Sequence, residues 1–479
     1  MSYLRGPDRN EVQLLPACLD DYVRPNSPAR FIDAYVEGLD FGALGFKRAQ
    51  AAGMGRPPYH PADLLKLYIY GYLQRIRSSR RLEAEAIRNL ELIWLLRGLQ
   101  PDFKTIADFR KDNCQVFKGL FKQFNLLCRK LELFGAELVA IDGAKFKAVN
   151  NISRYYTQEQ LKELSQTIES RIEEYIGELN RQDDQAQGVA GVADRKELEQ
   201  KMALLKERKG EYQELLGELE SSGQSKTALT DVEARKMKAV QGHLIGYNVQ
   251  VAVDAKHDLI VAQEVVQDAN DRGQLANMAL GAKEALGVEK LQVVADKGYH
   301  ESDQLENCEK AAVEAFVPEP SSGGKGKNGQ TILAKKQFVY DPTQDVYQCP
   351  GEQTLKRVRQ DTNHGKQRLI YENREACQRC ALLSKCTTGK YRVLARRTNE
   401  VVAERAAKRA AARPDVLKRR REVVEHVFGT LRHWGHDLFL LRGLAKVRGE
   451  FSLSALVYNL RRVLNLVSID RLLGVAKTS

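Results

Sequence analysis

Two apolar runs in this chain each lead directly into an aspartate, and they constrain the fold more than any other feature. Residues 138–146 read LVAIDGAKF and residues 291–299 read LQVVADKGY. Each run is short and rich in β-branched residues, as is typical of a buried strand, and a glycine follows soon after each aspartate. We therefore predict two strands that end at Asp142 and Asp296, with both carboxylates at the rim of one sheet, where ligands usually bind.

Two neighbouring carboxylates repel each other unless a cation lies between them. Oxygen ligands suit Mg²⁺ or Mn²⁺, and two such ions about 4 Å apart can activate an attacking oxygen and stabilise a leaving oxygen in phosphoryl transfer. An aspartate followed by glycine is also ordinary turn chemistry. Either aspartate alone therefore has a structural interpretation, and it is their joint occurrence that indicates a metal site.

A third carboxylate is usually needed to complete such a site, and the stretch RRREVVEHVFGTLRHW (419–434) offers one. Glu425 lies in a helical pattern, and Arg421 and Arg432 share its face because they are one and two turns away. Guanidinium groups beside a carboxylate suit a phosphodiester backbone. Glu422 is an alternative to Glu425, but it lies on a different face of the helix from Phe428.

The charge balance favours a polyanionic partner. The chain has 75 lysine and arginine residues against 63 acidic ones, a net charge of +12 and a pI near 9.1. Nucleic acid is the simplest such partner, although a merely basic globular protein has the same balance. No apolar run approaches the ~20 residues that a membrane helix needs, and the N-terminus lacks the apolar core of a signal peptide. We therefore expect a cytoplasmic protein without membrane contact.

Residues 1–135 carry apolar residues at helical spacing, interrupted by the basic stretch RIRSSRR (75–81). Asp102 or Thr105 would cap one of the helices. Short helices joined by basic turns are typical of a compact DNA-binding module, with an ordinary helical domain as the alternative. Including the Glu425 segment, the predicted DNA contacts are Arg77, Arg80, Arg81, Lys418, Arg420, Arg421, Arg432 and Trp434. Trp434 would stack on an unpaired base unless it belongs to the core.

The middle of the chain changes character twice. Residues 157–222 have apolar residues three and four apart, which predicts an antiparallel helical hairpin. HLIGYNVQVAVDAKHDLIVAQEVV (243–266) predicts a β-hairpin with AKHD as its turn. SSGGKGKNGQ (321–330) has the composition of a flexible linker. After about residue 400 the chain is predicted to be helical and basic.

Four of the eight cysteines form a cluster. Cys349, Cys377, Cys380 and Cys386 give the pattern C-x27-C-x2-C-x5-C. The C-x2-C pair and the total of four fit a tetrahedral structural Zn²⁺ site. The surrounding sequence has few apolar residues with which to form a core, and a metal would compensate for them. Four free thiols in a loop-rich insertion are the alternative.

Taken together, these segments resemble the DDE transposases of bacterial insertion sequences, in particular the eleven-eighty-two branch. The similar segments include YHPADLLKLYIYGYLQRIRSSRRLE, PDFKTIADFR, VAIDGAKFKAVN, GYNVQVAVDAKHDLIVAQEV, VVADKGY and VEHVFGTLR, and they span nearly the whole chain. Related transposases carry a tyrosine, an arginine and a lysine around the catalytic glutamate. In this chain Lys418 stands at the tyrosine position, Arg421 at the arginine position and Arg432 at the lysine position.

The resemblance implies an α/β fold with a ribonuclease-H-like mixed sheet and flanking helices. It also implies that Asp142, Asp296 and Glu425 are catalytic and bind two Mg²⁺ or Mn²⁺ ions. The predicted domains are a helical DNA-binding domain (1–135), a split ribonuclease-H-like core (136–156, 230–320 and 400–470), a helical-hairpin insertion (157–229) and a small zinc-binding insertion (321–399).

The activity implied by the resemblance is cleavage of double-stranded DNA at the inverted-repeat ends of an insertion sequence, followed by joining to target DNA. A homodimer is expected, because two ends must be joined. The alternatives are a metal-dependent DNA nuclease without strand transfer and a domesticated, non-catalytic DNA-binding protein.

Overall fold

The computed structural model describes residues 18–50, 57–150, 155–185, 191–223, 225–239, 242–320, 324–325, 331–363 and 365–476. Most of the predicted linker 321–330 and part of the turn between the two helices of the hairpin lie outside these residues. Helical segments and mixed or antiparallel sheets alternate along the chain, so the fold belongs to the mixed α and β class.

Helices and strands are numbered separately in chain order. The helices are α1 (Pro28–Glu37), α2 (Phe41–Leu44), α3 (Pro61–Leu73), α4 (Ser79–Arg88), α5 (Leu90–Leu95), α6 (Phe103–Asn113), α7 (Phe117–Lys130), α8 (Gln158–Gln185), α9 (Gly191–Ser222), α10 (Leu275–Leu286), α11 (Ser302–Lys310), α12 (Arg374–Gln378), α13 (Leu383–Cys386), α14 (Glu400–Ala412), α15 (Pro414–His433), α16 (Leu444–Leu466) and α17 (Ile469–Ala476). The strands are β1 (Leu138–Lys147), β2 (Tyr155–Thr157), β3 (Lys226–Ala228), β4 (Arg235–Lys238), β5 (His243–Asp254), β6 (Leu259–Val266), β7 (Leu291–Val294), β8 (Val313–Phe316), β9 (Gly324–Lys325), β10 (Thr331–Ile332), β11 (Val339–Asp341), β12 (Val346–Gln348), β13 (Thr354–Asn363), β14 (Lys366–Glu372) and β15 (Val393–Arg397). Within the described ranges, no helix combines the length and the apolar character that crossing a bilayer requires.

The N-terminal region is helical, as predicted, and α3 forms its centre. Every residue of α3 is buried, because α1, α4, α5, α6 and α16 surround it. Lys66 in α3 is neutralised there by Asp33 and Glu37 of α1, at 2.7 and 2.5 Å. Asp102 caps α6, since its carboxylate accepts hydrogen bonds from the backbone amides of Lys104 and Thr105. Of the two predicted caps, Asp102 is thus confirmed.

A mixed sheet of six described strands lies at the centre of the chain. Its order is β6-β5-β1-β7-β8, and β4 pairs with the other end of β5. β5 is antiparallel to both of its neighbours β1 and β6, whereas β7 and β8 run parallel to β1. The predicted hairpin is confirmed, because β5 and β6 are joined through AKHD at 255–258.

Helices cover both faces of this sheet. Alternate residues of a strand point to opposite faces, and β1 shows this directly. Ala140, Ala144 and Phe146 pack in the core that includes α15 and α16. Val139 and Ile141 pack in a second core with α10 and α11. The strand is therefore apolar on both sides, as expected of a strand between two helical layers.

Two insertions interrupt this arrangement. The helices α8 and α9 form the predicted hairpin, which packs around Leu161, Ile168, Ile172, Tyr212, Leu215 and Leu219. The small sheet of β2 and β3 closes its base. The second insertion is an antiparallel sheet in the order β11-β12-β13-β14-β15, next to which the four clustered cysteines lie.

A buried ion pair joins the N-terminal region to the helices that follow the central sheet. Arg77 donates a hydrogen bond of 2.6 Å to Glu450 in α16, and it also donates to the carbonyl oxygens of Gly435 and Leu438. Arg77 is 8% exposed and Glu450 is fully buried. The sequence predicts Arg77 as a DNA contact, but the structure encloses its guanidinium group between two parts of the protein. Arg77 is therefore an internal structural residue.

His436 is buried in the same interface and makes its stability sensitive to pH. Its ring lies 5.2 Å from the ring of Tyr72, edge to face, and neither ring nitrogen has a hydrogen-bond partner among the described residues. Burial, with the positive charge of Arg77 nearby, lowers the pKa of His436 from 6.5 to about 3. The unfolded chain therefore binds more protons than the folded one below pH 6.5, and stability is lost as the pH falls.

We expect His436→Phe to remove most of this pH dependence, because phenylalanine keeps the ring contacts but takes up no proton. One proton changes the free energy of unfolding by about 1.4 kcal/mol per pH unit below the unfolded pKa. Thermal unfolding of both proteins at several pH values between about 5 and 7.5 measures the difference. Parallel curves for the two proteins would contradict the prediction.

Candidate active site

The register of the central sheet places Asp142 and Asp296 side by side. β1 and β7 are parallel, and Ala140 pairs with Val294. Each aspartate lies two residues beyond this pair, so both carboxylates are at the same level and on the same face of the sheet. Adjacent strands are about 4.8 Å apart, which is within reach of a shared cation. The predicted neighbourhood of the two aspartates therefore follows from the pairing.

The expected end of the first strand is wrong, however. β1 does not stop at Asp142 but continues to Lys147, paired with β5 throughout. β7, by contrast, ends at Val294. Beyond that residue β1 has no partner strand on the β7 side, while β5 still pairs with its other side. Asp142 thus sits on a strand held on its other edge, which makes its backbone position firm.

Asp142 is held in a partly charged environment. Its carboxylate accepts hydrogen bonds from the backbone amide of Gly143 at 2.8 Å and from the guanidinium group of Arg420 in α15 at 2.9 Å. Burial nevertheless raises its pKa to about 6, and the negative charges of Asp296 and Asp271 act in the same direction against Arg420 and the Gly143 amide. The contacts with Arg420 and the Gly143 amide therefore do not fully offset the burial of this carboxylate.

Asp296 lies two residues beyond the end of β7 and caps a short 3₁₀ turn, Lys297–Tyr299. Its carboxylate accepts a hydrogen bond of 2.7 Å from the backbone amide of Gly298. A Cβ atom at position 298 would lie 2.8 Å from that carboxylate oxygen. The glycine two residues after the aspartate thus permits the close approach that holds the carboxylate at the end of the strand.

Glu425 is not assembled with the two aspartates. It lies on α15, which packs on β1 through Arg420 and through Phe428, whose ring is 6.2 Å from that of Phe146. The Glu425 side chain itself is exposed. Among the described residues, no group of three His, Cys, Asp or Glu side chains has an arrangement that could hold a metal ion. The rival Glu422 is also exposed and lies 3.5 Å from Arg419.

The other residues predicted to contact DNA differ in their surroundings. Arg80, Arg81, Lys418, Arg421 and Arg432 are at least partly exposed. Arg420 is engaged with Asp142. Trp434 is half-buried, and its ring lies 5.7 Å from His436 and 6.4 Å from Tyr458. These contacts favour the alternative interpretation of Trp434 as part of the core.

Sequence reasoning missed Asp271, which lies between β6 and α10. One of its oxygens accepts hydrogen bonds from the side chains of Lys145, Asn248 and Gln250, at 3.1, 2.7 and 2.8 Å. Asp271 also raises the pKa of Asp142. The only signal in the sequence is an acidic residue in the polar stretch QDANDRG between the hairpin and a helix, and this is ordinary loop composition.

The four clustered cysteines line one small cavity of about 20 Å³. A Cβ atom placed on Gly351 would lie 3.5 Å from the sulfur of Cys380 and 3.7 Å from that of Cys349, so these two sulfurs flank the same glycine. The backbone amide of Gln353 donates a hydrogen bond to the sulfur of Cys349. Burial raises the pKa of Cys386 against the lowering effect of the Arg392 charge, and the other three cysteines add to the rise.

Comparisons with known protein families identify two regions of the chain. Residues 17–112 match a family described as a transposase domain (DUF772). Residues 348–464 match a family described as a transposase DDE domain. No curated protein matches the chain. The second match contains Glu425 and the four clustered cysteines, whereas Asp142 and Asp296 lie outside both matches.

The two families occur at opposite ends of the chain and name the same class of protein, which acts on DNA. The resemblance seen in the sequence and the family matches therefore agree. These two matches support the assignment of the chain to the DDE transposases of insertion sequences.

Proposed function

We propose that this transposase cleaves phosphodiester bonds at the inverted-repeat ends of an insertion sequence and joins the freed ends to target DNA, with Asp142, Asp296 and Glu425 as its catalytic residues. The observation that carries the proposal is the alignment of Asp142 with Asp296 across the parallel pair of β1 and β7. The central mixed sheet with helices on both faces supports a ribonuclease-H-like core.

The residues present fit Mg²⁺ or Mn²⁺ at two of three positions. Burial raises the pKa of the Asp142 carboxylate and the negative charge of Asp296 adds to this effect, so a cation would relieve the repulsion between the two groups. When bound, a pair of such ions would supply activation of the attacking oxygen and stabilisation of the leaving oxygen. Glu425 is exposed, so the proposal requires it to turn towards the aspartates when DNA binds.

The basic residues of α15 would position the DNA. Lys418, Arg421 and Arg432 are accessible on the helix that lies against β1, where guanidinium and ammonium groups can contact phosphates. Arg420 holds Asp142 at 2.9 Å and would exchange this contact for a phosphate oxygen. The contribution of the chain is thus to orient the scissile phosphate and stabilise its charge.

Product analysis tests the proposal. The purified protein is incubated with Mg²⁺, a labelled duplex carrying the terminal sequences that flank the gene, and a supercoiled target plasmid. Cleavage at the element ends together with label joined to the plasmid is the expected result. Nicks without joined product would indicate the nuclease alternative, and bound but intact DNA the non-catalytic one. We propose that two copies of the protein hold the two DNA ends, and that they act in the cytoplasm. Light scattering of the protein–DNA complex would measure the number of copies.

Glu425→Gln and Glu422→Gln separate the two candidate glutamates. Both side chains are exposed on α15, so neither substitution should disturb the fold. We expect Glu425→Gln to lower the cleavage rate by about a hundredfold or more, because a missing metal ligand removes several kcal/mol of transition-state stabilisation. Glu422→Gln should stay within a few fold of the unchanged protein. The reverse order would assign the role to Glu422.

We also propose that Cys349, Cys377, Cys380 and Cys386 hold a structural Zn²⁺ ion. Because no three of these side chains are arranged as a metal site in the described part of the chain, binding would require them to draw together around the ion. The cavity they share, lined by all four, is of the size of one water molecule or ion. The amide hydrogen bond to the Cys349 sulfur is the kind of contact that stabilises a thiolate ligand. The sheet β11–β15 has only a small apolar core, formed by Phe338, Tyr347, Leu355, Tyr371 and Leu394. A metal would therefore stabilise it substantially.

Metal analysis measures this directly. We expect one equivalent of zinc in the protein as purified, and less than about a tenth of that in a Cys377→Ser, Cys380→Ser double variant, because two remaining thiolates bind zinc weakly. Cys18→Ser is the matched control, since Cys18 is an exposed cysteine outside the cluster. Protein that is fully folded and free of zinc would contradict the proposal.

A further inference from the structure

A polar cluster lies on the face of the central sheet opposite Asp142. Asn248 and Gln250 of β5 and Tyr299 are fully buried, and Lys145 and Asp271 are largely enclosed beside them. Buried polar groups of this kind are stabilising only when they are hydrogen-bonded to one another.

Asp271 is the centre of the cluster. A single oxygen of its carboxylate accepts hydrogen bonds from Lys145, Asn248 and Gln250. The amide of Gln250 also donates to the Asn248 oxygen at 3.0 Å, and Asn248 donates to the backbone carbonyl of Asp268 at 3.1 Å. The negative charge at position 271 strengthens all three of the bonds that converge on it, because charge-assisted hydrogen bonds are the stronger ones.

The cluster touches the backbone beside Asp142. A Cβ atom at Gly143 would lie 2.3 Å from the Gln250 amide nitrogen and 2.7 Å from the Asp271 oxygen. The backbone at position 143 is therefore packed directly on these two side chains, and only glycine fits there. The same Gly143 amide donates to the Asp142 carboxylate. Movement of Asp271 would be transmitted to Asp142 through one residue.

The cluster also reaches Asp296. The Tyr299 hydroxyl donates a hydrogen bond to the Gln250 side-chain oxygen. Tyr299 ends the 3₁₀ turn that Asp296 caps. Burial raises the pKa of Tyr299, and the negative charges of Asp271, Asp142 and Asp296 raise it further against the opposing charge of Arg420. One continuous set of contacts, on the face of the sheet opposite the Asp142 side chain, therefore connects the two proposed catalytic aspartates.

We infer that Asp271 is a positioning residue of the active site: with Asn248, Gln250 and Tyr299 it sets the separation of Asp142 and Asp296 and thereby their affinity for divalent cations. This inference rests on the proposed function, since it takes these two aspartates as the cation ligands. Groups that orient metal ligands in this way change metal affinity or activity by roughly 10- to 100-fold when they are removed.

The test compares Asp271→Asn with Asp268→Asn. Asp268 is in the same loop, and its side chain contacts only Gln274 at 2.8 Å among the described residues. Two readouts are taken: Mn²⁺ binding to the purified protein, followed by the electron paramagnetic resonance signal of free Mn²⁺, and the Mg²⁺ concentration for half-maximal DNA cleavage. Tyr299→Phe, which keeps the ring and removes only the link to Gln250, provides a second variant should Asp271→Asn unfold.

We expect Asp271→Asn, and more weakly Tyr299→Phe, to weaken Mn²⁺ binding and to raise the Mg²⁺ requirement by roughly 10- to 100-fold, with the cleavage rate at saturating Mg²⁺ within a few fold of the unchanged protein. Unaltered Mn²⁺ affinity in both variants, or no Mn²⁺ binding by the unchanged protein, would overturn the inference. A rate loss that saturating Mg²⁺ does not restore would also overturn it. If the variants bind Mn²⁺ more weakly but the unchanged protein cleaves no DNA, the inference about Asp271 is supported and the proposed function is contradicted.

Discussion

Asp142→Asn is expected to reduce DNA cleavage by about a thousandfold or more while leaving DNA binding unchanged. Asparagine keeps the shape of the side chain but removes the charge that a divalent cation requires. The loss of several kcal/mol of transition-state stabilisation corresponds to this factor, since each 1.36 kcal/mol changes the rate about tenfold. The exposed basic residues that would bind the DNA backbone are not altered by the substitution.

The measurement is single-turnover cleavage of labelled end DNA, with binding followed separately by mobility shift. Asp415→Asn is the matched control, because Asp415 is an exposed aspartate in the first turn of the same helix that carries Arg420. Cleavage by Asp142→Asn at a rate close to that of the control would reject the assignment of the site.

The fold is not expected to suffer from Asp142→Asn. The pKa of Asp142 is raised to about 6 from 3.8, so the folded protein binds this proton more tightly than the unfolded chain does. The folded state consequently loses stability as the pH rises from about 4 to about 6, and at neutral pH the charge is unfavourable. A melting temperature of Asp142→Asn at pH 7.5 no lower than that of the unchanged protein would show that lost cleavage is a chemical effect.

Arg77→Ala is expected to lower the free energy of unfolding by about 3–5 kcal/mol, because it leaves the buried carboxylate of Glu450 without its counter-charge. Glu450 is fully buried, and the backbone amides of Leu440 and Leu441 are the donors that remain to it after the substitution. The carbonyl oxygens of Gly435 and Leu438 lose a donor as well.

Urea unfolding of Arg77→Ala and Arg81→Ala provides the comparison. Arg81 belongs to the same basic stretch but is exposed, so its replacement should change stability by no more than about 0.5 kcal/mol. If the two variants unfold alike, the ion pair with Glu450 does not stabilise the contact between the N-terminal region and α16. DNA binding should show the reverse pattern. The salt dependence of the binding constant should decrease for Arg81→Ala, which removes an exposed charge, but not for Arg77→Ala.

Local patterns in the sequence determined much of the architecture. The spacing of apolar residues in 157–222 predicts the helical hairpin, and alternation in 243–266 predicts the β-hairpin with AKHD as its turn; both are confirmed. The two runs ending in Asp142 and Asp296 predict neighbouring strands, and the parallel pairing of β1 with β7 agrees. The two hairpins and the strand character of the two runs depend on residues within one turn or a few strand positions of each other, so their physical cause is contained in short segments.

Only the tertiary structure decided the roles that depend on distant partners. Arg77 belongs to a stretch of four arginines that the sequence places on the surface, yet its partner Glu450 is 373 residues away and buries it. Asp271 has the sequence context of a loop residue, although side chains from two strands converge on it. β1 continues past Asp142 because β5 still pairs with it after β7 has ended. Ion pairs, buried networks and strand ends are settled by which remote segments meet, and no periodicity within a short stretch encodes that meeting.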